Sequence, residues 1–251
     1  MDEVLFSIRR LSKKFPAGHA ALTGIDLEIE AGKCLIITGA NGSGKTVLMK
    51  IITGLMEASS GEVLFKGSPI ERAINSLRKS VGLVFQDADA QIIGETVNED
   101  VALGPKNLKL PPQVVKERVE AAIKASGLDG KSDFLARSLS GGEKRRLAVA
   151  GILAMGCQTI IMDEPFANLD WHGVRSVLQI ILDLKQDSKT VIILTHELEK
   201  VLAFADRLVV LCGGCVVCDG TPEDVLDNLK PEYGARDPRC SYRSAKDCSW
   251  L

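Results

Sequence analysis

The residues Gly39-Ala40-Asn41-Gly42-Ser43-Gly44-Lys45-Thr46 constrain this chain more than any other segment. They follow the apolar run Cys34-Leu35-Ile36-Ile37-Thr38 and precede Val47 to Leu55, where apolar residues recur at helical spacing. The pattern G-x-x-x-x-G-K-[ST] between a strand and a helix makes a loop whose consecutive N–H groups converge on phosphate oxygens. The helix N-terminus adds a favourable dipole for the same anion. Lys45 is then placed to reach the β and γ phosphates, and the Thr46 hydroxyl to ligate Mg²⁺. The fold class is α/β, and the ligand carries phosphates.

A second pair of features lies about a hundred residues on. Leu139-Ser140-Gly141-Gly142-Glu143 is followed by Ile160-Ile161-Met162-Asp163-Glu164-Pro165. An isolated Asp-Glu pair is usually a solvated turn. Here it ends an apolar strand downstream of a phosphate loop, so two carboxylates emerge at a sheet edge. Asp163 is read as holding Mg²⁺ through a water, and Glu164 as polarising the attacking water. Together these motifs resemble the ATPase subunit of ATP-binding-cassette transporters, over roughly residues 4 to 226.

That resemblance implies a P-loop NTPase (RecA-like) core with an N-terminal antiparallel β-subdomain and an inserted α-helical subdomain. The ATPase domain is expected over 1–229, with the core in about 1–90 and 143–229 and the helical subdomain in about 91–142, before a polar tail at 230–251. The ATP-binding residues implied are Phe15, Gly39, Asn41, Gly42, Ser43, Gly44, Lys45, Thr46 and Asp163. Gln86 corresponds to the family's glutamine that senses Mg²⁺ and the γ-phosphate, and His196, after Val191 to Thr195, to its switch histidine. Phe15 lies where an aromatic stacks on adenine, although such a residue can equally belong to the core. Ser140, Gly141 and Gly142 are implied to face the ATP of a second ATPase subunit, so that two chains sandwich two nucleotides head to tail. Ala167-Asn168-Leu169-Asp170 resembles the loop crossing that interface. Position 143 is Glu where the wider family often has Gln.

Gln86 to Gln91, Thr96 to Pro105 and Ala150 to Met155 look like the ATPases of energy-coupling-factor and cobalt-type importers. Their cargo is a vitamin or a transition-metal ion such as cobalt or nickel. The implied partners are a transmembrane coupling subunit and a substrate-specific membrane subunit. The implied place is the cytoplasmic face of the membrane. The segment Gln86 to Gly104, with Ile92, Ile93, Val97, Val101 and Leu103, is expected to dock a cytoplasmic helix of the membrane partner. One departure is that the chain ends soon after Gly220-Thr221-Pro222-Glu223-Asp224, where these ATPases often carry an extended dimerisation region. A soluble clamp of the same ATPase class is the alternative reading, but it would bring coiled-coil insertions, tandem cassettes or basic patches. A P-loop kinase would need no Leu-Ser-Gly-Gly segment.

Composition agrees with this reading. Thirty-one basic residues against 33 acidic ones leave a net charge of −2, which implies no general attraction to nucleic acid. No apolar run reaches bilayer length, and Met1-Asp2-Glu3-Val4 lacks the basic-then-apolar layout of a signal peptide. From Thr96 to Gly142 the apolar period is helical, with Pro111-Pro112 opening a helix. Cys212, Cys215 and Cys218 have a spacing that can mark a metal site. However, Leu208 to Leu211 and Val216-Val217 read as a hairpin turning at Gly213-Gly214, which makes the cysteines structural. Cys34 and Cys157 read as small core residues. The tail from Lys230, poor in aliphatics, is expected to be loosely ordered.

Overall fold

The computed structural model describes residues 3–16, 18–242 and 244–251. Met1 and Asp2, on which the reading of the chain's start partly rests, lie outside the described residues.

Among the described residues, two sheets are built from ten strands: β1 (Val4–Lys14), β2 (Ala20–Glu30), β3 (Cys34–Thr38), β4 (Ser60–Phe65), β5 (Ser68–Pro69), β6 (Val81–Val84), β7 (Thr159–Asp163), β8 (Thr190–Leu194), β9 (Arg207–Cys212) and β10 (Cys215–Gly220). The first sheet has the order β2-β1-β4-β5, and every pair in it is antiparallel. The second has the order β10-β9-β3-β8-β7-β6 and is parallel except for the edge hairpin β9–β10. Strands β3, β7 and β8 read CLIIT, TIIMD and TVIIL, and every residue in them is buried. Such β-branched runs without polar alternation belong to strands covered on both faces.

The period of two then divides these residues between two cores. Ile36, Ile160, Met162 and Ile193 pack on one face and Ile37, Ile161, Ile192 and Leu194 on the other. The second core is shared with the antiparallel sheet, where the rings of Phe6 and Phe65 lie 5.2 Å apart.

Helices α1 (Lys45–Ile52) and α2 (Ile70–Ser80) belong to this core, and α3 (Val97–Asn107), α4 (Pro112–Ala125) and α5 (Gly141–Met155) form a lobe of their own. Val97, Val101, Val119, Leu147 and Ala150 are among the buried residues of that lobe. The expected return to the core at residue 143 falls inside α5, which runs unbroken from the lobe to the sheet. Leu147 and Ala150 on α5 pack in the lobe's core, while Val149 and Ile152 pack in that of the sheet. Helices α6 (Trp171–Gln186), α7 (Leu198–Val201) and α8 (Pro222–Asp227) complete the first core.

The tail departs from expectation. Ala245 and Cys248 are buried, the Trp250 ring lies 5.5 Å from that of Trp171, and the Ala203 amide donates to the Cys248 carbonyl at 3.1 Å. Aromatic and cysteine anchors, rather than aliphatic periodicity, fasten this segment, and hydrophobic pattern is blind to them. Among the described residues, no helix is long and apolar enough to cross a membrane.

Candidate nucleotide site

The carboxyl ends of parallel strands are where an open α/β sheet leaves room for a ligand. Every one of the proposed single-residue determinants after β3, β6, β7 and β8 falls there. The loop after β3 needs glycine for two physical reasons. Gly39 has φ 142°, and a Cβ on it would sit 2.0 Å from the Leu211 carbonyl oxygen. Gly44 has φ 106°, and a Cβ there would meet Ala21 O and Leu22 Cδ2, each at 2.6 Å. The backbone is thus pinned between β9 and β2, and Asn41 and Gly42 are left exposed at the tip.

Lys45 is buried, and its Nζ donates to Gly39 O at 2.7 Å and Ala40 O at 3.2 Å. Burial lowers its pKa, opposed by Glu164 and Asp163. The Thr46 hydroxyl donates to Asp163 Oδ2 at 2.9 Å, although 117 residues separate the two. Asp163 Oδ1 is buried with no hydrogen-bond partner, and so is Ser43 Oγ. Burial pushes the Asp163 carboxyl up, and the Thr46 hydrogen bond partly holds it down. An orphaned carboxylate oxygen beside a hydroxyl is a set of hard oxygen donors, and it fits a small divalent cation.

Glu164 follows at φ 45°, a left-handed backbone that costs a non-glycine residue about 1 kcal/mol. It is held there by its amide donating to Leu194 O at 2.8 Å. Its carboxylate accepts from the Thr195 hydroxyl at 3.1 Å, and Nδ1 of His196 lies 3.0 Å from Oε1. Lys45 Nζ is 3.9 Å from the same oxygen. The turn after β7 therefore points one carboxylate at Thr46 and the next at His196.

Phe15, Asn41, Lys45, Thr46, Gln86, Glu164 and His196 line one cleft of about 370 Å³. Phe15 is half-buried at its edge, with Lys13 Nζ 5.7 Å from the ring centroid, and His19 and Ala167 also face the cleft. Gln86 is exposed just beyond β6, whose last residue is Val84 rather than Phe85. Ser140, Gly141 and Gly142 are not part of this cleft. They form the N-terminus of α5, where Ser140 and Glu143 make a reciprocal capping box. Ser140 and Gly141 are exposed, so this helix end faces outwards.

Two residues of the site carry no sequence signal. Thr195 reads as the end of an apolar run. Arg145, buried on α5, reaches across to donate to Phe85 O at 2.7 Å and Gln86 O at 2.9 Å. Burial lowers its pKa, against the pull of Asp163 and Asp87. The Cys212, Cys215 and Cys218 thiols lie in the β9–β10 hairpin and turn to three separate carbonyls, those of Glu232, Thr23 and Asn228. Among the described residues, no group of three or more His, Cys, Asp or Glu side chains is gathered as a metal site.

The sequence pattern of the family described as "ABC transporter" matches residues 22–167. The energy-coupling factor transporter ATP-binding protein EcfA of Methanocaldococcus jannaschii is 41% identical over 220 residues, covering 86% of this chain and 79% of that one. EcfA3 of Clostridium perfringens is 35% identical over 90% of this chain and 81% of its own. Among solved structures, cbiO1 of Clostridium perfringens, described as part of the ABC transporter complex cbiONQ, superposes with a TM-score of 0.82 at 35% identity, covering 92% of both chains. The phosphate loop, the carboxylate pair and these likenesses agree, and the chain belongs to the ABC transporter family as an ATP-hydrolysing cassette whose turnover is coupled to transport.

Proposed function

We propose that this chain is the Mg²⁺-dependent ATPase of an energy-coupling-factor importer, working as a dimer on the cytoplasmic face of a membrane. The observation that carries the reading is the meeting of Lys45, Thr46, Asp163 and Glu164 at one sheet edge, while Ser140 stands apart on an outward-facing helix end. The names of the relatives, energy-coupling factor transporter ATP-binding proteins and a part of a cbiONQ complex, support the importer class. A transmembrane coupling subunit and a substrate-specific membrane subunit complete the machine in this reading, and the cargo is a vitamin or a transition-metal ion.

In this mechanism the loop amides from Gly39 to Gly44 and the α1 N-terminus hold the phosphates, and Phe15 stacks on adenine. Lys45 exchanges its two loop carbonyls for the β and γ phosphate oxygens. Thr46, Asp163 and Gln86 are the residues that would hold Mg²⁺. When bound, Mg²⁺ neutralises charge on the β and γ oxygens. Glu164 orients a water and accepts its proton, and His196 fixes the carboxylate's direction. Ser140, Gly141 and Gly142 of a second chain complete the site at the γ-phosphate.

The expected docking segment resolves into two classes. Val97 and Val101 are fully buried in the helical lobe and are core residues, not surface. Ile93 is 80% exposed, and Leu135 and Phe134, whose segment bridges to Thr96 and Val97, are 43% and 51% exposed. Leu135 lines a groove of about 330 Å³ together with Asp89, Ile92, Gly94, Glu95 and Arg137, which suits an apolar helix with a charged flank. The Ile93→Asp/Leu135→Asp variant should keep the ATPase rate of the isolated subunit within about twofold, because exposed sites change stability little. It should lose copurification with the membrane subunits and transport. Normal assembly and transport by this variant would place the docking surface elsewhere.

Arg145 ties α5 to the carbonyls that position Gln86. Arg145→Met leaves two carbonyls without their donor and should cost about 2 kcal/mol of stability. It should also lower kcat roughly tenfold by loosening Gln86. Arg145→Lys, a single compact donor, should recover stability better than rate, because only the planar fork reaches both oxygens. Equal kcat values for Met, Lys and wild type would remove Arg145 from the positioning of Gln86.

A further inference from the structure

The outward end of α5 carries an acid where an anion is expected. Glu143 lies one turn inside the helix, and its Oε2 accepts from the Ser140 amide at 2.8 Å. A glutamine would make the same capping contact without charge. A carboxylate at this position offsets the roughly half-unit positive charge of the helix end and repels a phosphate brought to Ser140.

The structure supplies a counter-ion from outside the helix. Lys131 Nζ pairs directly with Glu143 Oε1. Lys131 is not a loose surface lysine. Its amide donates to the carbonyl of fully buried Leu128 at 3.1 Å, its own carbonyl accepts from Phe134 at 3.0 Å, and its ammonium lies 5.6 Å from the Phe134 ring centroid. Lys144, a further cation on this helix, is paired with Asp89. The Glu143 side chain is 17% exposed, and the contact with Lys131, ahead of that with the Ser140 amide, holds its pKa down at about 2. It therefore stays charged at every working pH, and pairing rather than protonation has to balance it.

We propose that Lys131 is a positioning residue that cancels the charge of Glu143, leaving the Ser140 helix end able to receive the γ-phosphate of ATP held by a second copy of this chain. The inference rests on the proposed trans role of Ser140. Lys131 touches no nucleotide. It acts through Glu143, and the pair gives the cap the neutrality that glutamine would give alone.

The test is steady-state hydrolysis of MgATP by the full chain, with KM and kcat taken separately. Lys131→Met should raise KM roughly tenfold while kcat moves less than about threefold. Lys131→Arg should retain the wild-type KM. In Lys131→Met/Glu143→Gln the repelling charge is gone, and KM should return to within about twofold of wild type. Raising salt from roughly 0.05 to 0.3 M should shrink the Lys131→Met defect, because the effect is electrostatic. A wild-type KM in Lys131→Met would overturn the proposal, as would a double variant as impaired as the single one, the mark of a merely structural contact. Ser140→Arg is run in parallel. Wild-type turnover in that variant means the trans reading itself has failed, whereas an inactive Ser140→Arg beside an unaffected Lys131→Met rejects only the charge compensation.

Discussion

Glu164→Gln should lower steady-state ATP hydrolysis by about 10²- to 10⁴-fold, the range general-base removal costs. The substitution is nearly isosteric, and its amide oxygen can still accept from Thr195. Its neutral amide cannot take a proton from water, and it no longer faces the Nδ1 of His196 as an anion. Binding of ATP should persist, because Lys45, Thr46 and Asp163 are untouched and Thr46 keeps its contact with Asp163. Phosphate release and nucleotide binding, measured on one preparation, separate these outcomes. The folded variant should hold ATP and accumulate as a closed dimer. Hydrolysis within about twofold of wild type would remove Glu164 from the proposed role.

The second large effect concerns two chains rather than one. Lys45→Ala removes the buried cation of the phosphate loop and strands the Gly39 and Ala40 carbonyls it serves. Ser140→Arg places a bulky side chain on the exposed helix end, which in the proposed dimer faces the partner's nucleotide. Each variant alone should be inactive. In a mixed dimer, the Lys45 of one chain meets the Ser140 of the other at one site, while the second site carries both lesions. An equal mixture should regain up to about a quarter of wild-type turnover, since half of the dimers are mixed and each has one sound site. Recovery should follow mixing ratio and vanish on dilution below the dimer's dissociation constant. A Ser140→Arg chain as active as wild type by itself would refute a trans role.

Much of the site was legible in single residues because its determinants sit at element ends. Gly39 to Thr46 had to follow β3 because three requirements coincide there: a buried strand, a left-handed loop and a helix start. Asp163 and His196 could be placed because β7 and β8 announce themselves as uninterrupted β-branched runs. The hairpin of Cys212, Cys215 and Cys218 was equally plain from its two-glycine turn. Other features were invisible for a common reason. Val97 and Ile93 are both aliphatic and only four positions apart, yet one is fully buried and the other 80% exposed. Only the packing of α3 against α5 separates them.

Sequence alone, then, determined what local covalent preference and burial period can encode: the α/β class, the phosphate loop and the acidic strand end. Tertiary structure decided what depends on which elements abut. It brought Thr46 to Asp163 across 117 residues, left Asp163 Oδ1 without a partner, and set Arg145 on the carbonyls of Phe85 and Gln86. It also fastened the tail through Trp250 and Cys248, and turned Ser140 away from the phosphate loop of its own chain. Periodicity reports whether a side chain faces a core, but not which distant group it meets there. That pairing is settled only when the sheet order and the path of α5 are in place.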